Sequence, residues 1–146
     1  MVTVRRTTPL PISAEQAFAL AQKPETFAHV VRGVMRVPGL AGVEGDFAVP
    51  GARASGRLWW LGVIPSWTHH LEIVAIGPGE IRTAEHGGLV RTWNHRLLFV
   101  ATSPTTCEYT DEIEIEAVVG VLTPLVAAFA RAMFALRQAR WRRMTA

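Results

Sequence analysis

Apolar and polar residues alternate along most of this chain, and the period of the pattern changes where helices begin. Residues 2–10, VTVRRTTPL, are rich in β-branched side chains and predict a strand, with Pro9 and Pro11 suited to its edge or end. Ser13 and Gln16 form a capping-box pair ahead of AEQAFALAQ, so a helix is expected there. Lys23-Pro24 breaks it, and Pro24 starts a second short helix, PETFAHVVR, because proline is tolerated at the first helical position. Residues 33–56 are rich in glycine and lack a clear period. Irregular strands are expected near Met35–Val37 and Gly42–Val49.

Five segments then read as sequential antiparallel strands: Arg57–Ile64, Trp67–Ile76, Glu80–His86, Val90–Ala101 and Cys107–Ala117. The connections between them, among them Gly77-Pro78-Gly79, Gly87-Gly88 and Thr102–Thr106, are too short for parallel crossovers. The last segment, Thr123–Arg143, is helical, with Thr123 as cap and Pro124 in its first turn. Two apolar stripes run along it. One carries Leu125, Phe129, Met133 and Leu136; the other carries Val126, Ala130, Phe134, Arg137 and Trp141. So wide an apolar surface suits a helix gripped by a sheet.

At 146 residues, 49% of them apolar and 18% charged, the chain is expected to form one globular domain, 1–146. The lone Cys107 allows no internal disulfide and fits a reducing compartment, so a cytoplasmic location is expected. The uncharged run Ala117–Ala130 is shorter than a membrane span and reads as a buried helix rather than a stable membrane insertion. The net charge of +3 is concentrated in Arg137, Arg140, Arg142 and Arg143. In the last turns of a helix these complement its dipole and remain solvated, so no nucleic-acid partner is expected.

The order strand, two short helices, antiparallel strands, long helix resembles the helix-grip fold. The segments ISAEQAFALAQKPETF, RTWNHRLLFV, YTDEIEIE and RQARWRRM together resemble the START-like SRPBCC superfamily, which includes polyketide cyclases, lipid-transfer proteins and coenzyme Q-binding proteins. The resemblance covers nearly the whole chain. It implies an α+β fold in which a curved antiparallel sheet of about six or seven strands wraps the C-terminal helix, with a cavity between them. The superfamily hosts carriers and enzymes on one scaffold, so it does not fix an activity.

Strand alternation nominates the residues that would face such a cavity. Trp93, His95, Leu97 and Phe99 share one face of their strand. Cys107, Tyr109, Asp111, Ile113 and Ile115 share a face of the next, with the glutamates between them turned to water. If Phe99 lies opposite Cys107, then His95 lies opposite Asp111; a slip of one pair brings Leu97 there instead. His95, Asp111 and Tyr109 are thus the candidates for proton transfer or for anchoring a ligand, unless the pair only satisfies itself.

Trp67 and His69 face the same way, and Glu85 shares a face with Ile81 and Thr83; it is either an inward carboxylate whose pKa burial raises, hence a general acid, or, as is more common, a hydrated residue at the cavity mouth. Trp59 and Trp60 are adjacent, so one faces in; the sequence leaves open which, and Trp59 is carried as the candidate. Phe129 and Met133 complete the set from the helix. These histidines and carboxylates do not form a metal motif, and neither a metal nor a cofactor is expected. The expected partner is a hydrophobic small molecule such as a lipid, isoprenoid quinone or polyketide. A cyclase-like enzyme and a protein-interaction module with a collapsed cavity are the alternatives, and a homodimer remains open.

Overall fold

The computed structural model describes residues 1–38 and 49–146. The chain runs β1 (Val2–Leu10), α1 (Ala14–Ala21), α2 (Pro24–Val30), β2 (Met35–Arg36), β3 (Arg53–Trp60), β4 (Ile64–Gly77), β5 (Glu80–Gly87), β6 (Val90–Ser103) and β7 (Thr106–Ala117). A 3-10 turn, Gly120–Leu122, leads into α3 (Thr123–Thr145). The strands form one antiparallel sheet in the order β1-β7-β6-β5-β4-β3-β2. Register shifts at Arg57/Trp59, Ile73/Ala75 and Glu85/Gly87 curl it, since each bulge bends its strand. The result is a half-barrel closed over α3, as the helix-grip expectation requires. The second strand expected at Gly42–Val49 falls largely outside the described residues.

The local predictions are met where short-range chemistry decides them. Gln16 N–H donates to Ser13 Oγ at 3.1 Å and Ser13 N–H donates to Gln16 Oε1 at 3.1 Å, so the capping box is complete. At the β5–β6 hairpin, Gly88 has φ +51, and a Cβ there would lie 2.0 Å from the Trp67 ring. Only glycine fits that approach. Thr123, in contrast, does not cap α3. Its hydroxyl accepts the Ala117 N–H at 3.1 Å and ties the end of β7 to the helix start.

Two apolar clusters sit between sheet and helices. Leu10, Ala17, Val30, Phe99, Tyr109 and Trp141 fill the end under α1 and α2. Val4, Ile113, Ile115, Ala130, Met133 and Phe134 fill the other end. Of the two stripes on α3, the one carrying Ala130, Phe134, Arg137 and Trp141 is buried, whereas Leu125 is 68% exposed and Phe129 36%. By length and composition the segment Gly120–Thr145 is apolar enough to cross a membrane, but here α3 lies against β1 and β7.

The arginines near the C-terminus are not simply solvated. Arg140 donates to the carbonyls of Val30 and Arg32, Arg142 donates to Thr8 Oγ1, and Arg137 is buried. That corrects the expectation for this cluster. Chain ends that must close a sheet over a helix use these side chains as ties to β1 and α2.

Candidate functional site

Between the two apolar clusters lies a buried polar group. On β7 it is carried by Asp111, between Tyr109 and Ile113; on α3 it is carried by Arg137 and Gln138, one helical turn from Phe134 and Trp141. Asp111 is completely buried. Its Oδ1 accepts from His95 Nε2 at 2.9 Å and from the Tyr109 hydroxyl at 2.7 Å, and its Oδ2 accepts from Gln138 Nε2 at 3.3 Å. Arg137 stands 3.7 Å from Oδ1 and donates to the Tyr109 oxygen at 3.3 Å. Gln138 also donates to the Arg6 carbonyl at 2.7 Å, so one side chain links β1, β7 and α3.

The electrostatics follow from that geometry. Burial works against the Asp111 charge, but the Arg137 guanidinium and the hydrogen bond from His95 outweigh it, and the carboxyl is held below its ordinary range. Burial and then the Asp111 carboxylate push the Tyr109 phenol well above its usual value, so it remains a donor. An ionised carboxylate only accepts, which puts a His95 proton on Nε2; in the neutral ring Nδ1 is then an acceptor. Nδ1 has no protein partner among the described residues. The His95 ring stacks on Phe134 with centroids 5.3 Å apart, which fixes its plane.

Of the two registers open for β6 and β7, the slipped one is found. Leu97 faces Asp111, and His95 faces Ile113, because the hairpin turns tightly between Ser103 and Thr106. His95 and Asp111 still meet, now across the diagonal of the pair.

A second pair stands on β4 and β5. His69 Nε2 donates to Glu85 Oε2 at 2.8 Å and Thr83 donates to Glu85 Oε1 at 2.6 Å. Glu85 does face inward, but its expected raised pKa is corrected. Burial opposes the charge, and the bond and charge of His69 overcome it, so the carboxyl titrates below its ordinary value. It is an acceptor at neutral pH rather than a general acid.

A cavity of about 600 Å³ opens beside these groups. Leu71, Ile73, Ile76, Ile81 and Leu97 from the sheet, Phe27 and Val31 from α2 and its end, and Trp141 from α3 make its apolar walls. Thr83, Glu85, His95 and Arg137 make a polar inner end, and Lys23 and Arg32 stand on the rim.

Of the residues nominated from sequence, Glu85, His95 and Leu97 line this cavity. Asp111, Tyr109 and His69 stand behind its wall and hold the residues that do. Phe99 packs with Tyr109 and Trp141 in the core, Trp93 and Met133 belong to the second apolar cluster, and none of them reaches the cavity. Trp59 is a correction: it lies under the guanidiniums of Arg36 and Arg57 on the outer face, and Trp60 is the inward member. Trp60 meets Trp67 and Phe129 edge-on at 5.7 and 5.3 Å, so those two form an aromatic corner away from the cavity. Arg137, Trp141 and the rim cations were not nominated. Arg137 was readable as a member of the buried helical stripe; the rim falls where the sequence has no period.

Residues 9–145 match a family described as a domain of unknown function, DUF8410. The chain belongs to the DUF8410 family. No curated protein matches this DUF8410 chain in sequence. Solved structures match its fold. A START superfamily protein from Mycobacterium smegmatis is similar at 14% identity and TM-score 0.73, over 98% of this chain and 96% of that one. A protein from Chromobacterium violaceum is similar at 13% identity and TM-score 0.75, over 98% and 96%. Norcoclaurine synthase from Thalictrum flavum, solved with dopamine and hydroxybenzaldehyde, is similar at 10% identity and TM-score 0.67, over 98% and 85%. The DUF8410 chain therefore has a START-like helix-grip fold.

Proposed function

We propose that this protein binds a hydrophobic small molecule in the cavity between the sheet and α3. The observation that carries this reading is the cavity itself: about 600 Å³, walled by aliphatic and aromatic side chains, with a few convergent polar groups at one end. Ligand sites commonly have that size and composition. The START-like fold agrees with it, and a cytoplasmic carrier of a lipid, quinone or polyketide is the form we favour.

Leu71→Trp tests it. Leu71 is half-buried on the cavity wall, and an indole there fills space without opening the core. Nile red, a neutral apolar dye, should bind the parent protein and bind the variant at least about tenfold more weakly, with circular dichroism unchanged. Equal binding to both would move the site elsewhere.

One observation favours a second reading, an enzyme that moves a proton. His95 lines the cavity, is oriented through Nε2 by an ionised Asp111 and has no protein partner for Nδ1 among the described residues, an arrangement that suits a general base. A neighbour of the same fold, norcoclaurine synthase, is an enzyme. A carbonyl compound that is converted by the parent, and is bound but not converted by His95→Gln, would select this reading over the carrier. A compound recovered with unchanged mass and isotope content would select the carrier.

A further inference from the structure

The lining of the cavity is divided by charge and depth. At the inner end, Arg137 and His95 are 6% and 7% exposed. Arg137 uses Nη2 on Tyr109, while its Nε is buried with no hydrogen-bond partner among the described residues. A guanidinium carries five donor hydrogens, and Nη1 also has no hydrogen-bond partner among the described residues, so Arg137 has donors to spare for an oxygen acceptor at this end. His95 Nδ1 and the remaining lone pairs of Glu85 are acceptors beside it. A hydroxyl can accept from Arg137 and donate to Glu85 or His95; a carbonyl satisfies the first half.

A carboxylate does not suit this end. Glu85 lines this end and Asp111 stands just behind it, so a ligand carboxylate here would be buried against two others. The rim has the opposite character. Lys23 and Arg32 line the opening and are exposed, whereas the Arg36 guanidinium turns to the outer face over Trp59.

We propose that the cavity takes a bipolar amphiphile, with an uncharged hydroxyl or carbonyl at the inner end on Arg137, Glu85 and His95, and an anionic group at the rim on Lys23 and Arg32. This rests on the cavity being a ligand site and adds the class and the orientation of the ligand. A molecule that is apolar throughout leaves the spare Arg137 donors unpaired. A diacid repels Glu85.

Two ligands of equal length separate the ends. 10-Hydroxydecanoate and decanedioate both offer a carboxylate to the rim and differ only at the other end. At pH 8.5, where imidazoles are ordinarily neutral, calorimetry should give 10-hydroxydecanoate an affinity at least about tenfold higher than that of decanedioate. Glu85→Gln, which keeps the shape and removes the charge, should narrow the gap to less than about threefold. Lys23→Ala with Arg32→Ala, both at the surface, should weaken 10-hydroxydecanoate but not decane-1,10-diol.

Equal affinities in the parent, a gap that survives Glu85→Gln, or a rim variant that leaves the hydroxy acid unaffected would each overturn the proposal. If Nile red binds while the two acids do not differ, the orientation fails and the ligand site stands. If Nile red does not bind at all, the ligand site fails with it.

Discussion

Asp111→Asn is the substitution whose consequences the structure defines most closely. It preserves volume and removes one charge. In the native protein three donors, from His95, Tyr109 and Gln138, converge on the two carboxylate oxygens, and Arg137 lies 3.7 Å away. Asparagine has one carbonyl oxygen, so its amide N–H must face one of those donors. Arg137, 6% exposed, loses its counter-charge without gaining water.

Removing one member of a buried pair costs about 3–5 kcal/mol. In a domain of this size each kcal/mol is worth about 2–4 °C, so the melting temperature at pH 7 should fall by roughly 6–20 °C. Circular dichroism during heating, with urea unfolding alongside, measures both quantities.

The pH dependence has a definite sign. The Asp111 carboxyl is held below its ordinary value in the folded protein, so its stabilisation is complete above the unfolded pKa, near 4, and fades as pH falls through the folded value. The gap between parent and variant should therefore narrow in acid. A loss under about 2 °C at pH 7, equivalent to less than about 1 kcal/mol, would refute the argument. So would a gap that widens below pH 4. Arg137→Met, alone and combined with Asp111→Asn, completes a double-mutant cycle. The two should be strongly non-additive, because each removes the other's partner.

Other substitutions probe separate parts of the fold. Thr123→Val leaves the Ala117 N–H unpaired and should cost about 1–3 kcal/mol in urea unfolding, whereas a simple helix-cap role would cost less. Gly88→Ala drives a methyl into the Trp67 ring and should lower the melting temperature with a change in tryptophan emission. Phe134→Ala opens a void under the His95 ring and should cost about 3–5 kcal/mol; a loss below about 1 kcal/mol would mean the site collapses around it. Glu85 also titrates below its ordinary value, so its contribution is present above the unfolded pKa and disappears in acid. Glu85→Gln should therefore flatten the acid limb of stability against pH.

Much of this was written in local pattern. Alternation along Val90–Ala101 and Cys107–Ala117 assigned His95, Asp111, Tyr109 and Phe99 to the inner face, and every one of them is there. The β6–β7 register was not available, because Thr102–Thr106 admits more than one turn and each choice slides the pairing by a whole step. Arg137 was misjudged by its company. Three further arginines follow it, and a basic run at a helix end usually stays in water. Yet it occupies the stripe of Phe134 and Trp141, which decides its burial. Trp59 and Trp60 were ambiguous because adjacent residues on a strand point opposite ways and both are large. The rim of the cavity was beyond reach, since α2 to β2 makes its shape from turns rather than from a period.

Sliding β7 by two residues along β6 would return every side chain to the face it already occupies. Burial of apolar surface is thus nearly blind to that error: inward leucines, isoleucines and aromatics would still be inward. The carboxylate of Asp111 is not blind to it, because only one alignment meets His95, Tyr109, Arg137 and Gln138 together. The polar centre then works as a detent, telling one alignment from its near-equals during the search for the native sheet. A chain with Asp111→Ile and Arg137→Met, which removes both charges together, would keep its hydrophobic driving force and lose that discrimination. Its β6 and β7 amides should exchange with solvent faster and less cooperatively than those of the parent, even where overall stability is similar.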